Sequence, residues 1–430
     1  MLNISLLAVA ALISLLGLLV AGAHAFVFWL ALLLINMIFV ASVTIVNDVF
    51  PLGEFSFFVL LLNAIALVVQ VIDCILFSLK DRRAMILMSR QKSPKLLSLV
   101  FVAFLYFFSL AFYRLSLGDT SAMDSNWIEI AAARSALQII FINLSVLFFL
   151  LFLCFLFDIY LKGRSGWCLV VMTCSGLLYA ALFKAKSILL PVFLPIFVIW
   201  FFLGDGRKYQ KILKLSLLAV PVYFVYHSIA AFRWVGGLAN LSVESFWTAF
   251  GSSLAVGFEP ALTYQSTGIF RSFYDSGEYL LANGAYVKFL LIPVTYLFDS
   301  YIENPMYTYF YILGGEDGAI RGSVHPSLYS DAFATFGWFG VFLGGIWIVF
   351  LRGMYELFTG VSRGLFTVYL VASAYSIPLL ARGSVYYAIL YLVLGGVLLA
   401  CLYLFCQAIV DVIPRFIRLF RVKKNIASLG

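Results

Sequence analysis

Long apolar runs recur along the chain, from its first residues almost to its last. A membrane-spanning helix needs about 20 largely apolar residues, and eleven runs in the sequence approach that length. They lie near 2–22, 25–46, 56–79, 96–116, 136–161, 167–183, 187–203, 215–232, 330–351, 364–381 and 385–406. The pattern predicts an all-α polytopic membrane protein with about 11 transmembrane helices.

Composition supports this class. Of the 430 residues, 64% are hydrophobic and 11% are charged, whereas soluble domains carry about 45–50% apolar and about 25% charged residues. The formal net charge is +8, but membrane proteins concentrate Lys and Arg in the loops that remain inside the cell. We therefore attribute the positive net charge to the Lys and Arg of the internal loops, and we expect no nucleic-acid partner.

Basic residues also predict the orientation. Nineteen of the 28 Lys and Arg fall in segments that eleven alternating helices place on one side: 80–95, 162–164, 205–214, the loop 352–363 and the tail after Pro414. If this side is the cytoplasm, the N-terminus is external and the C-terminus is internal. The remaining nine basic residues then lie on the external side, against the usual bias.

Three parts follow from this layout: helices 1–8 in residues 1–232, a large external loop in 233–329, and helices 9–11 with a basic tail in 330–430. The loop is rich in aromatic residues, which favour the membrane interface. Apolar residues in 243–255 recur with a helical period, so we expect amphipathic helices on the outer membrane face. The segment 286–298 is predicted to dip into the membrane.

Two clusters of external cations come first. Lys184 and Lys186 lie in FKAKS, between two short spans. They suit a phosphate or headgroup site, and equally two lysines that extend toward the interface. Arg233 lies in FRWVGG at the end of the eighth span. It could contact phosphate with both arms of its guanidinium, or serve with the next tryptophan as an interfacial anchor.

The third cluster is FEPALTYQSTGIFRS, residues 258–272. Glu259 precedes a proline, which predicts a position just before or at the start of a helix. It is a candidate general base, and a surface carboxylate is the alternative. Arg271 follows twelve residues later, so the two side chains need not touch.

The fourth cluster lies in RGSVHPSLYSDAFATFGWFG, residues 321–340. Ser327 or Ser330 could cap the ninth span, with Asp331 in its first turn, where acidic residues are favoured. This leaves Arg321 and His325 unexplained by helix-start chemistry. They either contact substrate or fasten the loop to the span.

Further along, three glycines are expected to allow close helix packing: Gly337, Gly340 and Gly344. The fifth cluster is ARGS, in a connection of about three residues between the last two spans. Arg382 lies in this connection, and an arginine so close to the hydrocarbon core costs free energy unless it has a charged partner or contacts water.

All five clusters lie on the same predicted face, so they could converge on one cavity. Cations at membrane depth suit a lipid-linked anion such as a pyrophosphate, and clustered aromatic rings suit sugars. The sequence has no DxD motif, which argues against a nucleotide sugar held by a metal. Asp73 and Asp158 lie near the other ends of their spans and form no recognisable proton relay.

The layout resembles bacterial O-antigen polymerases of the Wzy type, including the enterobacterial common antigen polymerases. The resemblance covers most of 180–400 and follows the order FKAKS, AFRWVGG with VESFW, FEPAL, KFLLIPVTYLFDS, HPSLYSDAFATFGWFGVFLGG and LLARGS. Relatives often carry arginine in the first of these elements, whereas this chain has Lys184 and Lys186. Lysine lacks the forked guanidinium, so this element departs from the family pattern.

The resemblance implies a GT-C-like, metal-independent glycosyltransferase that needs no cofactor. It would join oligosaccharide units linked to undecaprenyl pyrophosphate at the periplasmic face of the bacterial inner membrane, a multi-pass location with the N-terminus periplasmic and the C-terminus cytoplasmic. Its partners would be the lipid-linked glycans, the bilayer and a chain-length-regulating co-polymerase.

The resemblance also implies roles for residues. Glu259 or His325 would orient or deprotonate the acceptor hydroxyl. Pyrophosphate and substrate would be bound by the basic residues Arg233, Arg271, Arg321, Arg382, Lys184 and Lys186. An O-antigen ligase that uses the same donor, and a polysaccharide flippase or transporter, remain alternatives.

Overall fold

A computed structural model gives the three-dimensional structure. It describes residues 2–45, 53–89, 96–116, 136–163, 165–183, 186–203, 242–255, 258–280, 326–360, 362–383 and 388–410, with isolated positions between 210 and 235 and at 309, 312 and 313. The described part is helical and contains no strand. The all-α class is therefore confirmed.

The described residues of the first half of the chain form seven α-helices. They are α1 (Leu2–Val20), α2 (Phe26–Ile45), α3 (Gly53–Ser89), α4 (Leu96–Ser116), α5 (Ala136–Gly163), α6 (Gly166–Phe183) and α7 (Leu190–Leu203), the last preceded by a 3₁₀ turn, Lys186–Leu189. Most bounds lie within about three residues of the predicted runs. The exception is α3, which continues to Ser89, so much of the predicted loop 80–95 is helical instead.

Six helices are described in the second half. They are α8 (Val243–Ala255), α9 (Phe258–Ser276), α10 (Ser327–Phe336), α11 (Leu343–Thr359), α12 (Arg363–Ala381) and α13 (388–410), with a 3₁₀ segment at Gly337–Phe342 and a π segment at Leu390–Gly395. The helix predicted at 243–255 is confirmed as α8. Ser242 caps it, because its Oγ accepts the N–H of Ser245 at 3.0 Å.

Eight helices or helical runs among the described residues are long and apolar enough to cross a membrane, and two shorter apolar helices accompany them. This supports a multi-pass membrane protein. The predicted span at 215–232 lies largely outside the described residues, as does the membrane dip at 286–298. The count of eleven therefore stays a prediction.

Contacts between helices define two ends of the bundle, which we call the Gly53 end and the Asp73 end after positions in α3. Asn3 of α1 lies beside Gly53, and Phe270 of α9 packs against Phe55. At the other end, Arg352 of α11 meets Asp73. The first turns of α1 and α3 and much of α9 therefore gather at the Gly53 end.

The chain reverses between α10 and α11. The rings of Phe58 and Phe333 lie 5.4 Å apart, and a Cβ at Gly340 would lie 3.2 Å from the same Phe58 ring. The reversal needs Gly337, whose φ is 58°, a value that few other residues adopt readily. The predicted span 330–351 falls in the run 327–359, which is long and apolar enough to cross a membrane, but within this run α10 folds back before α11 descends along α3.

All three glycines pack as predicted. A Cβ at Gly337 would lie 2.7 Å from the Tyr279 ring. A Cβ at Gly344 would lie 2.8 Å from Leu62 and 3.0 Å from Ala66 of α3. A Cβ at Gly340 would lie 2.5 Å from the carbonyl oxygen of Ala332. These glycines let α11 and the 3₁₀ segment approach their neighbours closely, which confirms the packing interpretation.

Candidate functional site

Helix α10 is short and carries several polar side chains, yet it is enclosed by protein. All of its residues from Ser327 to Thr335 are buried. Its ring at Phe333 stacks on Phe270 of α9 with centroids 4.0 Å apart. Burying polar groups is costly unless they are hydrogen-bonded, so the partners of α10 indicate how its position is fixed.

The predicted caps of this helix are wrong. Pro326 occupies the N-cap position without a side-chain capping bond, so the helix begins before Ser330 and Asp331. Ser330 Oγ instead donates to the carbonyl oxygen of Ser266 in α9 at 2.6 Å. Asp331, fully buried, accepts a hydrogen bond from the Tyr309 hydroxyl at 2.5 Å.

The start of α10 lies against the end of α12. The backbone N–H of Ser327 donates to the carbonyl oxygen of Arg382 at 3.0 Å. A Cβ at Gly383, where φ is 96°, would lie 2.5 Å from the Ser327 nitrogen. Two sequence clusters that are 55 residues apart thus meet in one contact.

A second set of hydrogen bonds holds α10 from the opposite side. The Tyr329 hydroxyl donates to Asn36 Oδ1 at 2.9 Å and accepts from Asn63 Nδ2 at 2.9 Å. Ser14 Oγ donates to Asn63 Oδ1 at 2.8 Å. All four residues are fully buried. This network joins α1, α2 and α3 to α10 and leaves Tyr329 well satisfied.

Glu259 and Arg271 both belong to α9 and are not brought together. Glu259 is the second residue of the helix, as expected, and its side chain lies outside the described part. The two residues are about 18 Å apart along the axis at 1.5 Å per residue. The Arg271 side chain is 67% exposed and lies 3.9 Å from Asp275. Any joint action would have to involve different parts of a large substrate.

Arg382 is the one other predicted site residue whose side chain is described, and it is half-buried. Lys186 begins the 3₁₀ turn before α7, but its side chain lies outside the described residues. The same holds for the whole of Lys184, Arg233, Arg321 and His325. Their assignments stay predictions.

The opposite end of the bundle contains ion pairs that the sequence interpretation missed. Arg352 Nε and Nη2 donate to the two carboxylate oxygens of Asp73 at 2.7 and 2.8 Å. His24 Nε2 lies 3.2 Å from Asp73 Oδ2. Arg352 was predicted to lie in a cytoplasmic loop, which is wrong, because it is only 7% exposed within α11.

Asp158 of α5 forms the second pair. Arg363 Nε and the Tyr403 hydroxyl each donate to one of its carboxylate oxygens. Arg363, also predicted to lie in the loop, is 2% exposed at the start of α12. An ionisable residue inside a membrane protein is usually paired, and this rule could have flagged both aspartates. It could not have identified their partners.

Among the described residues, no group of three or more His, Cys, Asp or Glu side chains could hold a metal ion. Comparisons with protein-family models, curated proteins and solved structures gave no match to this chain. The arguments that follow therefore rest on the residues and their geometry.

Proposed function

We propose that the chain joins lipid-linked oligosaccharides at one face of a membrane, as a Wzy-type polymerase does. The observation that carries the proposal is the convergence at the Gly53 end. There, α9, α10 and the end of α12 are held together by the bonds from Ser330 to Ser266 and from Ser327 to Arg382. Helix α9 carries the third sequence cluster, α10 belongs to the fourth, and the end of α12 carries the fifth.

The chemistry follows from the donor. A hydroxyl of the acceptor glycan attacks the anomeric carbon of the donor glycan, and the bond from that carbon to the pyrophosphate oxygen breaks. The hydroxyl proton passes to Glu259 or His325, and undecaprenyl pyrophosphate leaves with the electron pair. Arginine side chains are suited to stabilise that anion, since the guanidinium stays charged and donates two parallel hydrogen bonds.

In this proposal Arg382 binds pyrophosphate beside α10, and Arg233, Arg271, Arg321, Lys184 and Lys186 supply the remaining positive charge. The Gly53 end then faces the periplasm, as the basic residues predict. The donor lipid would enter from the surrounding bilayer, so its pyrophosphate would arrive near the depth of the cations.

The test is a glycan ladder from a strain in which the gene is deleted and then restored. A polymerase null keeps a single attached repeat, whereas a ligase null lacks every attached repeat. Arg382→Ala, Arg321→Ala, Arg233→Ala and His325→Ala are introduced singly. We expect each to shorten or abolish the ladder. Normal ladders in all four well-expressed variants would contradict the proposed site.

A transporter or flippase is the second candidate, and the buried ion pairs at the Asp73 end favour it. Transporters carry ionisable residues within the membrane along their substrate or proton path. However, each carboxylate already has an arginine partner, which argues against a role along such a path. A deletion strain that accumulates lipid-linked repeats without exposing them at the periplasmic face would support this candidate over the polymerase.

A further inference from the structure

The N-terminus of α10 lies inside the bundle and not at its surface. Tyr329, the third residue of α10, bonds to Asn63, which lies about 15 Å along α3 from Gly53 at 1.5 Å per residue. The first N–H groups of a helix have no partner within the helix and form its positive end. In membrane proteins, N-termini of broken helices at such depths bind anionic groups.

A second observation concerns the Ser327 side chain. Ser327 is fully buried at the first position of α10, and its Oγ has no hydrogen-bond partner in the described part of the chain. Buried hydroxyls are nearly always satisfied, so this unpaired Oγ is a candidate donor to a bound ligand. The Ser327 N–H already donates to the Arg382 carbonyl oxygen, so the N–H groups left for an anion are those of Leu328 and Tyr329. The Ser327 hydroxyl belongs to the same turn, and it can donate a bond to an anion that they also contact.

Charge at this turn favours an anion. Arg382 adjoins it through its own carbonyl oxygen. Arg382 itself is half-buried, whereas the residues of the turn are buried. The nearest carboxylate in the helix, Asp331, lies one turn further on and accepts the Tyr309 hydroxyl.

We infer that the first turn of α10, with the Ser327 hydroxyl and the Arg382 guanidinium, is a binding site for a phosphate or pyrophosphate group. Taken together with the proposed function, on which this assignment of the ligand rests, the group is the pyrophosphate of the lipid donor. An inorganic ion would present the same chemistry, so the experiment uses both sources.

The test measures binding to the purified full-length protein in detergent by isothermal titration calorimetry. One titration uses inorganic pyrophosphate, and the other uses undecaprenyl pyrophosphate in mixed micelles. Ser327→Gly removes the hydroxyl, while glycine accepts the φ of 59° found there without strain. Loss of binding in this variant would therefore not reflect a damaged fold. Arg382→Gln removes the charge.

Matched controls are available. Ser56→Ala removes another buried serine hydroxyl that has no partner in the described residues. Arg114→Gln removes an exposed cation at the end of α4. We expect Ser327→Gly to weaken binding about ten-fold or more and Arg382→Gln about 100-fold, as expected for hydrogen bonds to a charged group. The controls should bind like the wild type.

The outcomes separate this inference from the proposed function. Weakened binding of both probes, or of the lipid alone, supports the site and identifies the source. Wild-type binding by Ser327→Gly, or no binding of either probe to the wild-type protein, overturns it. If the site is confirmed but the deletion strain has a normal ladder, the proposed function fails and the anion site stands.

Discussion

At the Asp73 end, two buried carboxylates each meet an arginine from a distant helix, whereas at the Gly53 end a buried serine hydroxyl has no partner in the described residues. The ion pairs tie α3 to α11 and α5 to α12. The opposite end instead places a helix N-terminus beside a half-buried arginine. In our proposal, the ion pairs hold the bundle together at one end, and the other end binds a ligand.

The largest effect should come from breaking a pair at the Asp73 end. Arg363→Met leaves Asp158 buried without its cation, and we expect the free energy of unfolding to fall by about 3–5 kcal/mol. Thermal unfolding of purified protein in one detergent measures the change. Arg114→Gln, at an exposed position, should alter stability by less than about 0.5 kcal/mol.

A double variant sharpens this test. Adding Asp158→Asn to Arg363→Met removes the unpaired charge, so much of the lost stability should return, because the cost arises mainly from the uncompensated ion. If Arg363→Met alone unfolds at the wild-type temperature, the pair is not a structural tie and the contrast between the two ends fails.

A smaller effect is expected at the Gly53 end. Tyr309→Phe removes the hydroxyl that donates to Asp331, and we expect a loss of about 1.5–3 kcal/mol, as for a hydrogen bond to a charged group. Tyr264→Phe changes an exposed tyrosine of α9 and should leave the unfolding temperature unchanged. Equal effects from the two variants would show that the bond to Asp331 contributes nothing.

Much of this fold could be predicted from hydropathy, because a helix in lipid must satisfy its own backbone. The limits of α4 coincide with the predicted run 96–116. The reversal after α10 could not be predicted, since the run 327–359 is continuously apolar enough to resemble one span. Gly337 was interpreted as a packing residue, which its close approach to Tyr279 supports, and its positive φ additionally makes it the turn.

The candidate site was predicted only in outline. Arg382 and the region before α10 were singled out because cations on the external side oppose the topology signal. Their contact runs from the Ser327 N–H to the Arg382 carbonyl oxygen, and backbone bonds leave no signature in side-chain type. Ser330 and Asp331 look like helix-start residues in the sequence, and only the structure reveals their tertiary partners, Ser266 and Tyr309.

The smallest predicted effect has the opposite sign and concerns Ser327. Its φ of 59° strains a residue with a Cβ by about 1 kcal/mol, and glycine avoids that strain at some cost in unfolded-chain entropy. We expect Ser327→Gly to raise the free energy of unfolding by about 0.5 kcal/mol, although it removes a buried hydroxyl. Ser330→Gly is the matched control. It lies inside the same helix and loses a bond to Ser266, so it should destabilise by about 1–2 kcal/mol. A loss of stability in Ser327→Gly comparable to that in Ser330→Gly would mean that the Ser327 hydroxyl already supports the fold. The contrast between the Gly53 end and the Asp73 end would then fail.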